Sequence, residues 1–127
     1  MSIAFNKQIV RRYFEEALDE GKVGLIEELF AEDCVIYRPE SLKPILGLNG
    51  IRSIVLGVTE RFSLFESRIH DIIAEGDRVV CRLSHFGTYK TRWTSRIGEH
   101  SVEGMKVQWD AIAIFRLKES KISEEWV

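Results

Sequence analysis

The chain has 127 residues, 45% of them apolar and 30% charged, with a net charge of −2 at pH 7. That length can bury a core without disulfide or metal staples, and one domain over residues 1–127 is expected. The small net charge and the lack of any basic run give no pull toward nucleic acid or an anionic membrane surface.

Met1 to Asn6 leads into a charged amphipathic segment and not into an apolar leader. No apolar stretch is long enough to span a bilayer, so the cytoplasm is the expected compartment. From Asn6 to Leu18, Ile9, Val10, Tyr13, Phe14, Ala17 and Leu18 recur at helical spacing, with Arg11, Arg12, Glu15 and Glu16 on the other face. Gly21 ends this helix in a left-handed turn. A shorter helix is predicted at about Val23 to Phe30, then a turn at Asp33 and a short strand, Cys34 to Tyr37. Pro39, Pro44, Gly47 and Gly50 mark an irregular loop that is a candidate lid or rim. Asn49 is placed to cap a third helix, in which Ile51, Ile54, Val55, Val58 and Phe62 share a face.

After Phe62 the period changes to two. Strands are predicted at Leu64 to Ala74, Arg78 to Arg92, Met105 to Leu117 and Lys121 to Val127. Turns fall at Glu75-Gly76-Asp77 and Glu119-Ser120, and a polar loop runs from Trp93 to Glu103. Consecutive strands with short turns pair antiparallel, and helices followed by strands indicate an α+β fold. In the third long strand Val107, Trp109, Ala111, Ala113 and Phe115 share one face, while Ile112 and Ile114 lie on the other. Apolar residues on both faces mean that both are covered. Three helices can cover one; a second copy of the chain, in a homodimer through the sheet, is expected on the other. Ala111 and Ala113, small between Trp109 and Phe115, leave room for a pocket or receive a tightly packed helix. Cys34 and Cys81 sit in apolar runs and read as buried free thiols.

Several segments resemble the SnoaL-like polyketide cyclases and the related ester cyclases, of the nuclear transport factor 2-like superfold. They are Gln8-Ile9-Val10-Arg11-Arg12, Glu75-Gly76-Asp77-Arg78-Val79-Val80, Gly87-Thr88-Tyr89, Gly104-Met105-Lys106-Val107, Ile114-Phe115-Arg116-Leu117 and Lys121-Ile122-Ser123-Glu124-Glu125-Trp126. The resemblance spans nearly the whole chain. It implies a cone-shaped barrel, with three N-terminal helices on a curved antiparallel sheet and a pocket between them. It also implies ring closure by intramolecular aldol condensation, without metal or cofactor. A carboxylate on the last strand serves as acid/base there, and a glutamine and a histidine on the preceding strand hold the substrate's oxygens. Those positions fall on Val127, Ala111 and Ala113 in this chain. An alanine cannot donate a hydrogen bond to an enolate, and a valine cannot move a proton.

Other polar residues are therefore the candidates. Glu125 shares strand parity with Val127 and is either an acid/base in an apolar pocket or a solvated edge residue. His85, mid-strand, is either a proton shuttle or a satisfied structural residue. Arg82 either orients a substrate carboxylate or phenolate, or pairs with Asp110 or a neighbouring-strand acid. Asp110 faces away from the alanines, as a base or as half of an ion pair at the dimer interface. Tyr13 and Tyr37 lie on elements that line the family's pocket, and Trp109, Ala111, Ala113 and Phe115 would form its floor. The histidines and acids show no metal-ligand spacing, so no metal is expected. The resemblance implies an enzyme performing cofactor-free cyclisation, isomerisation or dehydration of a hydrophobic, oxygenated small molecule. The alternative is a non-catalytic ligand-binding or dimerisation module that has lost the cyclase residues. The two differ in whether an ionisable side chain enters the cavity.

Overall fold

The computed structural model describes residues 2–90, 92–95, 98–101 and 104–127, with backbone alone for 92–95 and 98–101. The first helix, α1 (Ile3–Arg12), starts at Ser2, whose hydroxyl accepts from the Phe5 N–H at 3.1 Å. It continues as a π-helical segment, Tyr13–Leu18, after which the Asp19 N–H donates to the Phe14 carbonyl at 3.0 Å. Tyr13, Phe14, Ala17 and Leu18 all lie on the buried side, and Asp19 follows at the end of the segment. Gly21 then turns with φ +68°, the left-handed conformation expected of it.

A single 3-10 turn (Val23–Leu25) leads into α2 (Ile26–Leu29) and β1 (Phe30–Tyr37). The turn expected at Asp33 is an irregularity inside β1, where the register shifts between Phe30 and Val35. After β2 (Ile45–Leu46), α3 (Gly47–Arg61) begins ahead of Asn49. Asn49 is thus not its cap; its side-chain oxygen accepts from Arg52 Nη1 at 3.0 Å. The remaining strands are β3 (Phe62–Glu75), β4 (Arg78–Tyr89), β5 (Arg92–Ser95), β6 (Gly98–Ser101), β7 (Lys106–Lys118) and β8 (Lys121–Trp126). β5 and β6 form a separate antiparallel hairpin where a polar loop was expected.

The main sheet has the order β2-β1-β8-β7-β4-β3. The α+β cone is as expected, but the sheet is mixed and not purely antiparallel: β1 runs parallel to β8. Hairpin logic sees only strands adjacent in sequence. β1 finds its partner across the whole chain, and only a crossover connection brings two such strands parallel. Register shifts in β3, between Phe62 and Leu64 and between Ile69 and Asp71, are the bulges that bend a long strand.

Along β4 the inward side chains run Val79, Cys81, Leu83 and His85; along β7 they run Leu117, Phe115, Ala113, Ala111 and Trp109. The first members of each series close the core against α1 and α2. There Tyr13 meets Phe30 edge-on at 4.9 Å, and Phe14 meets Phe115 at 5.7 Å. The last members diverge from the helices and leave a cavity. Cys34 and Cys81 are buried and free, and burial pushes the Cys81 thiol up to about 12. Among the described residues, no helix is long and apolar enough to cross a membrane.

Candidate active site

The cavity holds about 620 Å³. Phe14, Leu18 and Val58 wall it from the helices; Trp109, Ala111 and Ala113 form the sheet side. Pro39 and Glu40 stand at its rim, so the irregular loop after β1 does border it. Glu125, His85 and Arg38 line it together with apolar and aromatic side chains, and Glu40, Arg61, Tyr89 and Asp110 complete its ionisable lining.

Glu125 owes its position to a bulge. Phe115 pairs with Glu125 and Leu117 with Ile122, with a register shift between Arg116 and Leu117. Ile122 and Glu125 are both buried although simple alternation would put them on opposite faces. Glu124 is turned out instead, onto Arg116. Glu125 is 1% exposed, and its Oε1 has no hydrogen-bond partner. Burial pushes the carboxyl up to about 7; the Arg38 charge opposes this and Glu40 adds to it. Near neutrality this group both gives and takes protons.

Arg38 follows β1 in the same alternation as the buried Cys34 and Ile36. Its Nη1 bonds Glu40 Oε1 at 3.3 Å, while its Nε is buried without a partner. Tyr13 lies behind this pair, fully buried in the core, with its hydroxyl also unpartnered. Burial raises its phenol above the usual range, as does the nearby Glu125.

Ser67, His85 and Trp109 are direct cross-strand partners on β3, β4 and β7. The His85 ring stacks on Phe65 at 5.3 Å and tilts against Trp109 at the same distance. Its Nδ1 lies 3.0 Å from Ser67 Oγ. Ser67 Oγ donates to Asp19 Oδ1 at 2.7 Å, and the Ser67 N–H donates to Asp19 Oδ2 at 2.8 Å. Burial pushes His85 down to about 4, aided by the Arg38 charge, so the ring is neutral at pH 7. Burial pushes Asp19 up to about 6, against the Ser67 hydrogen bonds that favour its charge.

Of the residues singled out from the sequence, the fold brings Glu125, His85, Trp109, Ala111 and Ala113 to one cavity. Phe115 and Tyr13 share its side of the sheet but are core, not wall. Two further placements need correction. Arg82 is on the outer face, paired with Asp71 at 2.7 Å, because strand alternation points it away from Cys81 and Leu83. Tyr37 is also outside, stacked on Trp126 at 5.6 Å, because it alternates with the buried Ile36. Within the chain and among the described residues Asp110 pairs with no arginine: its Oδ1 accepts from Ser84 Oγ at 2.6 Å, and Ser84 Oγ lies 2.8 Å from His70 Nε2. Arg38 was missed, although period-two alternation from Cys34 points to it. Nothing local marks Asp19 or Ser67. Among the described residues, no three His, Cys, Asp or Glu side chains gather to hold a metal.

A family model described as SnoaL-like polyketide cyclase matches residues 8–127. No curated protein matches the chain in sequence. Among solved structures, a candidate SnoaL-like polyketide cyclase from Jannaschia sp. CCS1 superposes with a TM-score of 0.83 at 18% identity. That match covers 99% of this chain and 86% of the other. AclR, a candidate hydroxylase from Streptomyces galilaeus, gives a TM-score of 0.81 at 20% identity, covering 98% and 74%. An LEH-like epoxide hydrolase from M. tuberculosis gives 0.74 at 17%, covering 98% and 81%. Three differently described proteins share this shape, so chemistry has to be argued from side chains.

Proposed function

The chain belongs to the SnoaL-like polyketide cyclase family, and from that premise we propose that its cavity catalyses proton transfer on a hydrophobic, oxygenated small molecule without a cofactor. Ring closure, isomerisation or dehydration through an enolate fits the side chains. One observation carries this reading: Glu125 is buried at the cavity wall with an unpartnered Oε1. An unpaired buried acid costs stability, and a site that uses it accounts for its presence. Glu125 removes the proton α to a carbonyl and returns it elsewhere. Arg38, whose Nε has no partner, stabilises the oxyanion that develops. Trp109, Phe14 and Phe65 offer flat apolar surfaces to a planar ligand.

The test begins with a thermal-shift screen of planar, enolisable carbonyl compounds. Hits are then incubated in deuterium oxide, and exchange of the acidic C–H is followed by NMR. Wild type is expected to accelerate exchange; Glu125→Gln and Arg38→Met should each lose roughly a hundredfold or more. Ligands that bind without any exchange would favour a non-catalytic binding module. That second reading draws on Ala111 and Ala113 standing where characterised cyclases carry glutamine and histidine.

The same reading includes a homodimer through the outer sheet face. Tyr37, Trp126, Ile114, Val80 and Ile73 are successive cross-strand partners on β1, β8, β7, β4 and β3. They form one apolar row across five strands, with Ile73 at 65% and Tyr37 at 40% exposed. The Arg82–Asp71 pair flanks the row, so a two-fold copy meets an apolar centre with polar edges. Light scattering after size exclusion is expected to give twice the chain mass for wild type and a single chain mass for Ile114→Lys. A wild type that elutes as one chain at micromolar concentration rules the pairing out.

A further inference from the structure

The use of His85 is open in the reading above, because a ring held neutral so far into the acid range is a poor base by itself. Its hydrogen bonds resolve the difficulty. Asp19 is gripped at both oxygens by one residue: Oδ2 accepts from the Ser67 N–H at 2.8 Å, and Oδ1 from Ser67 Oγ at 2.7 Å. A hydroxyl has one proton. While Asp19 is ionised, that proton points at Oδ1, and Ser67 Oγ can only accept from the imidazole. His85 then carries its proton on Nδ1, 3.0 Å from Ser67 Oγ. Its other nitrogen, Nε2, is left as a bare lone pair on a residue of the cavity wall.

A protonated Asp19 reverses every bond in the chain. Oδ2 stays committed to the Ser67 N–H, so the acid proton sits on Oδ1 and is given to Ser67 Oγ. The hydroxyl turns and donates to Nδ1, and the ring proton moves to Nε2. Asp19 is half-buried at the end of the π-helical segment, whereas His85 is 8% exposed, so the chain leads outward from the cavity.

We propose that Asp19, Ser67 and His85 form a proton relay from the cavity wall outward, in which Asp19 decides which nitrogen of His85 holds the proton. It rests on the proton-transfer reading of the site. In the step itself a substrate O–H bond breaks and Nε2–H forms. Nδ1–H breaks as the Ser67 hydroxyl takes that proton, and the former Ser67 proton bonds to Asp19 Oδ1. One proton has moved from substrate to Asp19. The negative charge has moved from Asp19 to the substrate, near Arg38, and His85 and Ser67 end neutral. No imidazolium forms in the apolar cage of Phe14, Phe65 and Trp109. Asp19 and Ser67 touch no reacting atom and are positioning residues.

The charges around the chain agree with this direction of transfer. Glu15 from the helix and Glu66 from β3 face Asp19, and both favour its protonation. Arg38 faces His85 and disfavours a charged ring.

Heteronuclear NMR of the histidine side-chain nitrogens tests the relay without any substrate. In mild alkali His85 is expected to carry its proton on Nδ1. As the pH falls through about 6, where Asp19 titrates, the proton is expected to move to Nε2 with no imidazolium signal. Asp19→Asn should abolish that transition, and Ser67→Ala should leave a mixture of the two neutral forms that does not respond to pH in this range. A wild-type ring that holds its proton on Nε2 in alkali, or that passes directly to imidazolium near 6.5, overturns the relay. The readout is independent of turnover. Failure here removes the relay alone, whereas absence of deuterium exchange removes the chemistry of the site.

Discussion

Glu125→Gln is expected to leave stability nearly unchanged in acid and to raise it by about 3 kcal/mol above neutrality. The carboxyl titrates at an ordinary 4.5 when the chain is unfolded and at about 7 when burial surrounds it. Between those values the folded state binds a proton that the unfolded state releases. Raising the pH therefore favours unfolding: stability falls from pH 4.5 to about 7 and then levels off. Glutamine resembles the protonated acid and does not titrate, so the variant escapes this loss. Other groups bend the wild-type curve. Asp19 acts in the same sense between 3.8 and about 6. His85 acts in the opposite sense, since its folded value is depressed and stability is lost as pH falls from 6.5 toward 4. These contributions are common to both proteins and cancel in the difference. Urea unfolding across the pH range measures it, and the plateau corresponds to roughly 10 °C in Tm. A difference that is flat with pH would falsify the buried acid. A more stable fold with lost deuterium exchange would mark Glu125 as a residue kept for chemistry at the expense of stability.

Ala111→Leu is expected to weaken any cavity ligand at least about a hundredfold, or ~3 kcal/mol, while stability stays within about 1 kcal/mol. Ala111 is half-buried and lies on the cavity wall between Trp109 and Ala113. The added carbons of leucine enter space that the ligand would otherwise fill. Ala113→Leu provides the contrast. Ala113 is 2% exposed where the cavity closes onto the packed core, and its strand neighbour two positions on is the fully buried Phe115. The same carbons there meet side chains with no room to yield, and a loss of about 1–3 kcal/mol is expected. Calorimetric titration with a compound from the thermal-shift screen, beside urea unfolding of both variants, separates the cases. Undiminished affinity in Ala111→Leu places the ligand elsewhere.

The helices and strands were legible because their buried faces repeat locally. Ile9 and Val10 announce α1, Tyr13 and Phe14 its π-helical continuation, and the alternation from Val107 to Phe115 announces β7 together with its inward face. The same alternation identified Trp109, Ala111 and Ala113 as cavity wall. Applied to β1 it also identifies Arg38 as inward and Tyr37 as outward. Arg82 lies between the inward Cys81 and Leu83, so alternation points it outward, and of its two expected roles it takes the ion pair with a neighbouring-strand acid, Asp71.

By itself, then, the sequence determined the three helical segments, the long strands β3, β4 and β7 and the α+β class, since all of these depend on side-chain periodicity within a dozen residues, but not β2 or the β5–β6 hairpin. Only the tertiary structure decided that Glu125 and not Glu124 turns inward, through a bulge set by the pairing of β8 with β7. It alone decided that β1 lies parallel to β8, and that a helix-end aspartate reaches a serine 48 residues away beside His85. These features depend on register and packing between segments far apart in the chain, and no local pattern encodes the meeting of two distant side chains.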